Sequence, residues 1–260
     1  MRSPNHYSAL LEAQADEQLA RRRRRHLAPL KGLRGVSAAD VLTVLMKAWG
    51  EDVSLPRDSA ALSRLFTTAH EDGLVAIGLT AAALPDSPDE ALALAYEWLD
   101  FVDDLETADA LGWYVLGPGL LATGQDLVSS VADVCSHRRP ERRRAGVMAC
   151  MAALPVAIEG PVAGALRDRM AQRHVAFVDA PLSNLVGESL GSAATDVSPH
   201  VRKALARVLR EWAVHDPDAV GAWTAKHKNI AKTVRQQADR AVTKARRSRR
   251  QMGEDEGGDT

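Results

Sequence analysis

Asp109 is the side chain whose type and placement could do chemistry. In the stretch from Trp98 to Gly117, WLDFVDDLETADALGWYVLG, a helical reading puts Val102, Leu105, Trp113 and Leu116 on one face. Asp109 falls inside that stripe, one turn after Leu105 and one turn before Trp113. A carboxylate under apolar cover is costly unless it finds a partner, protonates or faces a cleft. Two readings follow: Asp109 caps or pairs inside a helical bundle, or it is a functional acid in a concave site. The neighbouring Asp100, Asp103, Asp104 and Glu106 read as solvated charges.

Other reactive types are less suggestive. His70 stands next to Glu71, a pair that could exchange protons but that reads better as packing or capping. His137, His174, His200, His215 and His227 have no metal-ligand spacing, so no metal is expected. Gly117 and Gly119 do not follow a strand and form no phosphate loop. Cys135 and Cys150 have neither metal spacing nor a disulfide framework, which points to a reducing cytosol. No signal-peptide core and no long uncharged apolar run is present, so a cytoplasmic protein without a membrane span is expected.

The charge pattern is more informative than the net charge of −1. Residues 226–250 carry ten Lys and Arg against the single acid Asp239, a net +9. Arg21 to Arg25 form a second cluster, and the terminus GEDEGGDT is acidic and glycine-rich, with the composition of a disordered end. Basic segments at both ends of an otherwise acidic body suit a polyanion partner, or else a solvated helix face and a charged tail.

The elements that must position these residues are helical. Of the 260 residues 46% are apolar but only 4% aromatic, with alanine and leucine abundant and β-branched residues few. Periodicity predicts a helix from Tyr7 to His26 and another after the cap Ser37, stopping at Gly50. Further helices are expected from Asp58 or Ser59, from His70, after Ser87, through Asp109 to a kink or end at Gly117-Pro118-Gly119, and over Gln125 to Ser136. ERRRAGVMACMAAL forms the next; after a loop at Pro155 to Pro161 come helices at about 161–175 and 180–194. Ser198-Pro199 and Asp216-Pro217 open two more, and the basic segment continues helical to about 248. No stretch reads as a strand. Helices of about 12–16 residues pair every 35–45 residues or so, the length of HEAT or armadillo repeats. An irregular helical bundle is the alternative.

Several stretches resemble the AlkD-type DNA alkylation repair family, which is built of HEAT-like repeats. They are LKGLRGVSAADVLTVLMKAWG (30–50), LFTTAHEDGLVAIGLTAAAL (65–84), DDLETADALG (103–112), ERRRAGV (141–147) and VRKALARVLREWAVHDPDAVGAW (201–223). Their order and spacing match over about 30–225. The resemblance implies an all-α, right-handed superhelical solenoid over residues 28–228. An N-terminal helix with the arginine cluster (1–27) precedes it, and a basic then acidic tail (229–260) follows. It implies a glycosylase that excises cationic alkylated purines from duplex DNA, acting as a monomer, cytoplasmic and nucleoid-associated when bound, with no cofactor. Asp109 would stabilise the positive charge left on the sugar. Arg143 and Arg144 would contact phosphate, with Arg207 adding to DNA binding.

The sequence departs from the family at two aromatic positions. Leu105 stands where the family has a tryptophan one turn before the acid, and Arg207 where it has a second tryptophan. Leucine offers no aromatic face, and arginine would repel a cationic base. Trp113 is the candidate replacement, although a tryptophan at helical spacing also suits the core, as do Trp98, Trp212 and Trp223. Two other readings therefore stand beside the glycosylase: a non-catalytic protein for damaged or branched DNA, and a HEAT-type protein scaffold.

Overall fold

The computed structural model describes residues 1–25, 27, 30–48, 53–154 and 182–256, and the side chains up to Gln251. The helix expected at 161–175, the loop expected at 155–161, the stop at Gly50, His174 and residues 257–260 lie outside the described residues. Within them the chain is all helix and turn.

Fourteen helices can be named among the described residues: α1 Pro4–Glu12, α2 Glu17–Arg24, α3 Ala38–Ala48, α4 Leu55–Thr68, α5 His70–Ala83, α6 Pro88–Leu99 and α7 Leu105–Leu111, then α8 Gly117–Ala122, α9 Leu127–Cys135, α10 Pro140–Ala149, α11 Ser183–Gly191, α12 Pro199–His215, α13 Pro217–Lys226 and α14 Lys232–Glu256. A π-helical segment, Gly112–Leu116, joins α7 to α8, and a 3₁₀ turn, Cys150–Ala153, follows α10. The starts follow capping chemistry. Asp16, Asp126, Ser198 and Asp216 each accept a backbone N–H in the first turn of the helix they precede. Ser37 likewise accepts from Asp40 N at 3.2 Å.

Near the N-terminus two boundaries differ from the sequence reading. The expected helix from Tyr7 to His26 is broken, because Asp16 accepts from Gln18 N and Leu19 N and so starts α2 afresh. Helix α4 begins at Leu55 instead of Asp58, with a proline in its first turn, where a missing N–H costs nothing.

The helices stack in two rows. In one row α3 touches α5, α5 touches α7 and the π-segment, these touch α10, α10 touches α12, and α12 touches α14. In the other, α1, α4, α6, α8, α9, α11 and α13 follow one another in the same way. The rows are stitched by α4 on α5, α9 on α10 and α13 on α14. This neighbour-to-neighbour stacking is consistent with a solenoid of helical repeats, each unit burying its apolar stripe on the next.

Burial is heaviest in the middle of the chain. Every residue of α5 but Leu74 is buried: after its charged first turn, His70-Glu71-Asp72, the helix is small or apolar on nearly every side. Trp98 is fully buried, stacked on Phe66 with ring centroids 4.5 Å apart, and donates to Ser63 Oγ at 2.9 Å. Trp212 and Trp223 are also core. The segment read as a tail is packed: Ile230, Val234, Ala238 and Val242 are buried, and α14 lies against α12 and α13. No helix among the described residues is long and apolar enough to cross a membrane.

Candidate active site

Asp109 lies in the last turn of α7, in the row that runs from α3 to α14. The start of α7 is fixed by Asp104, which accepts from Thr107 N at 2.9 Å and Thr107 Oγ1 at 2.7 Å. Asp104 also receives His70 Nδ1–H at 3.0 Å, while His70 Nε2–H donates to Glu106 at 3.1 Å. Burial alone would lower the His70 pKa. The hydrogen bonds to Asp104 and Glu106 outweigh it and hold the imidazolium at about 9. Burial likewise pushes Asp104 up, and His70 more than reverses this, down to about 2. Glu71 accepts the backbone N–H groups of Arg34, Gly35 and Val36 at 3.0–3.2 Å. The His70-Glu71 pair is thus structural, as read. Asp103 and Asp104 are not the solvated charges the sequence suggested: Asp103 accepts Lys31 N–H at 3.2 Å and Asp104 is buried against His70, whereas Glu106 stays exposed beside its bond to His70.

Gly117-Pro118-Gly119, expected to kink or end the helix, does not end it. The helix continues through the π-segment into α8, with Pro118 in a first turn. A Cβ on Gly112 would stand 2.2 Å from Ala145 O, and one on Gly117 2.2 Å from Ala149 O. Two glycines five residues apart, brought to one side by the wider π-turn, let α10 approach to backbone contact. That approach carries Arg144 across to Asp109.

The Arg144 guanidinium grips Asp109 with both arms, Nε to Oδ1 at 2.6 Å and Nη2 to Oδ2 at 2.7 Å. Its Nη1 donates to His200 O at 2.6 Å, which ties α12 to the pair. The Asp109 side chain keeps 17% exposure and Arg144 only 9%. Arg207, on α12, reaches Asp109 Oδ2 at 3.4 Å and holds its guanidinium carbon 4.9 Å from the centre of the Trp113 ring. Trp113 is buried and stacks on Tyr114. The Tyr114 hydroxyl is pushed up chiefly by burial, and feels the charges of Arg207 and Asp109. Beyond Tyr114 and Ala110 opens a cavity of about 200 Å3 walled by Val41, Leu45, Leu74, Ile77 and Gly78, with Arg23 and Glu106 among its lining.

Four of the five site residues expected from the sequence thus converge: Asp109, Arg144, Arg207 and Trp113. Arg143 does not join them. It points to the other side of α10, donating to Asp196 at 2.6 and 3.1 Å and to the carbonyls of His137 and Arg138. Successive helix residues point about 100° apart, so paired arginines cannot face one ligand together. Within the Arg21–Arg25 cluster, Arg23 is likewise structural, bonded to Val36 O and Glu71 and to Glu106 at 2.5 Å. Tyr114 and the His200 carbonyl were missed. Tyr114 follows Trp113 in a π-turn, which no period-3.6 reading resolves, and a backbone carbonyl leaves no trace in side-chain pattern.

The arrangement is a half-buried carboxylate clamped from one side, with an aromatic face beside it and a second cation across it. A family model described as DNA alkylation repair enzyme matches residues 7–241. No curated protein gives a significant match.

Proposed function

The chain belongs to the DNA alkylation repair enzyme family, and from that membership we propose that it binds duplex DNA and cleaves the glycosidic bond of alkylated purines. The observation that carries this reading is the Asp109 carboxylate, partly exposed and oriented by two hydrogen bonds from Arg144. A purine alkylated on a ring nitrogen is cationic and leaves readily, and its departure puts positive charge on the sugar. A preorganised carboxylate stabilises that charge and orients a water. Arg144 uses three of its five N–H donors on Asp109 and His200, so two are left for a phosphate oxygen. Arg207, with 37% of its side chain exposed, is the more available phosphate contact. Exposed Lys226, Lys228, Lys232, Arg240, Lys244 and Arg247 add non-specific affinity.

One observation favours a second reading. Both arginines engage the same carboxylate, which leaves less of its negative charge for a cation developing on the sugar. A non-catalytic protein for damaged or branched DNA would keep the grip and lose base release.

Binding to normal and alkylated duplex is to be measured by fluorescence anisotropy across salt. Each neutralised phosphate should add about 0.9 to the fall of log K with log salt. A salt-independent signal, or none, would remove DNA from the account.

A further inference from the structure

The Arg207 guanidinium occupies an unusual place. It sits over the Trp113 ring at 4.9 Å and against Asp109 at 3.4 Å. One carboxylate edge and one indole face are what a planar organic cation needs, since the ring quadrupole attracts positive charge and the acid supplies the counter-ion. A guanidinium is itself such a cation. Arg144 meets Asp109 from α10 and is nearly buried, whereas Arg207 comes from α12 with over a third of its side chain exposed. The two arginines are therefore not equivalent: Arg144 is built in, and Arg207 can leave.

We propose that Asp109 and Trp113 form a planar-cation subsite that Arg207 fills in the resting chain, so that a cationic ring enters only in exchange for the guanidinium. Arg207 is then the residue that sets specificity. A free organic cation must displace it without compensation. A cationic ring attached to a polyanion brings phosphate oxygens to receive the displaced guanidinium, and so is selected over the ring alone. That the natural occupant is an alkylated purine in DNA rests on the glycosylase reading above; the subsite and its plug do not.

The test uses the full chain and a probe without phosphate, N-methylquinolinium, with neutral quinoline as the control, both titrated by calorimetry. Removing the competing guanidinium should tighten N-methylquinolinium binding by about tenfold or more in Arg207→Ala. Arg207→Gln, which keeps a polar side chain of similar length, should show the same gain. The gain should vanish in Arg207→Ala combined with Asp109→Asn, and quinoline should not share it. Equal binding by wild type and both variants would overturn the proposal. So would a gain that survives loss of the Asp109 charge, or one that quinoline shows equally. No base release enters the readout, so a chain that releases no base can still pass, and an active glycosylase can still fail.

Discussion

Replacing His70 by Gln should remove a pH-dependent part of the stability. His70 is fully buried between Asp104 and Glu106, and its pKa is held at about 9 against an ordinary 6.5. Folding therefore takes up a proton on this group. A raised pKa stabilises in full below pH 6.5, and the contribution is lost as pH rises through 9. The shift corresponds to about 3 kcal/mol. The depressed Asp104 pKa of about 2 describes the other side of the same pair: its contribution is present above 3.8 and lost as pH falls through 2. Between pH 4 and 6.5 or so the pair is fully formed. Urea unfolding at fixed pH from 5 to 10 reads this directly. Wild type should lose about 3 kcal/mol between pH 6.5 and 9.5. His70→Gln should start lower by a similar ~3 kcal/mol at pH 6, because Asp104 loses its charged partner, and should change little over the same interval. Its Thr107 hydrogen bonds remain, so α7 keeps its cap. Parallel pH curves for the two proteins would refute the reasoning, since the imidazole would then be neutral in the folded chain.

Three other outcomes can be checked. Deleting residues 229–260 strips Ile230, Val234 and Val242 from the core, and should cost roughly 5 kcal/mol in denaturant unfolding, besides weakening DNA binding; unchanged stability would mean α14 is not packed in solution. Arg143→Ala should destabilise by about 2 kcal/mol through loss of Asp196 and two carbonyls, with the salt slope of DNA binding unchanged; a shallower slope would make it a phosphate contact after all. Burial pushes the Cys135 thiol up to about 11 and Cys150 further. A thiol reagent at pH 8 should therefore label neither until the chain is unfolded, and rapid labelling of the native chain would contradict their burial.

What could be read from the sequence follows from what periodicity and capping encode. Ser-Pro and Asp-Pro pairs located the starts of α6, α12 and α13, because capping and a first-turn proline are local signals. The apolar stripe singled out Asp109, while the family pattern marked Arg143 and Arg144 only as phosphate contacts; the grip of Arg144 on Asp109 came from the structure. The break at Asp16 was lost inside a continuous apolar period, since a cap can interrupt a helix that propensity alone would continue. Arg143 and Arg144 could not be told apart, because the side of α10 each takes depends on the close approach at Gly112 and Gly117. Asp104 looked solvated because its partner His70 is brought to it only by the stacking of α5 on α7. The basic run of α14 hid its own apolar stripe: net charge describes composition, and Val234, Ala238 and Val242 are spaced four apart on a single face.

The most direct measurement is release of free modified base from duplex DNA alkylated on purine ring nitrogens, by wild type and by Asp109→Asn. The account predicts release by wild type and a loss of about 100-fold or more in the variant, with duplex binding retained. Release at the wild-type rate by Asp109→Asn would take the carboxylate out of the mechanism. No release by wild type, with salt-sensitive binding intact, would contradict the glycosylase and leave a recognition protein in its place.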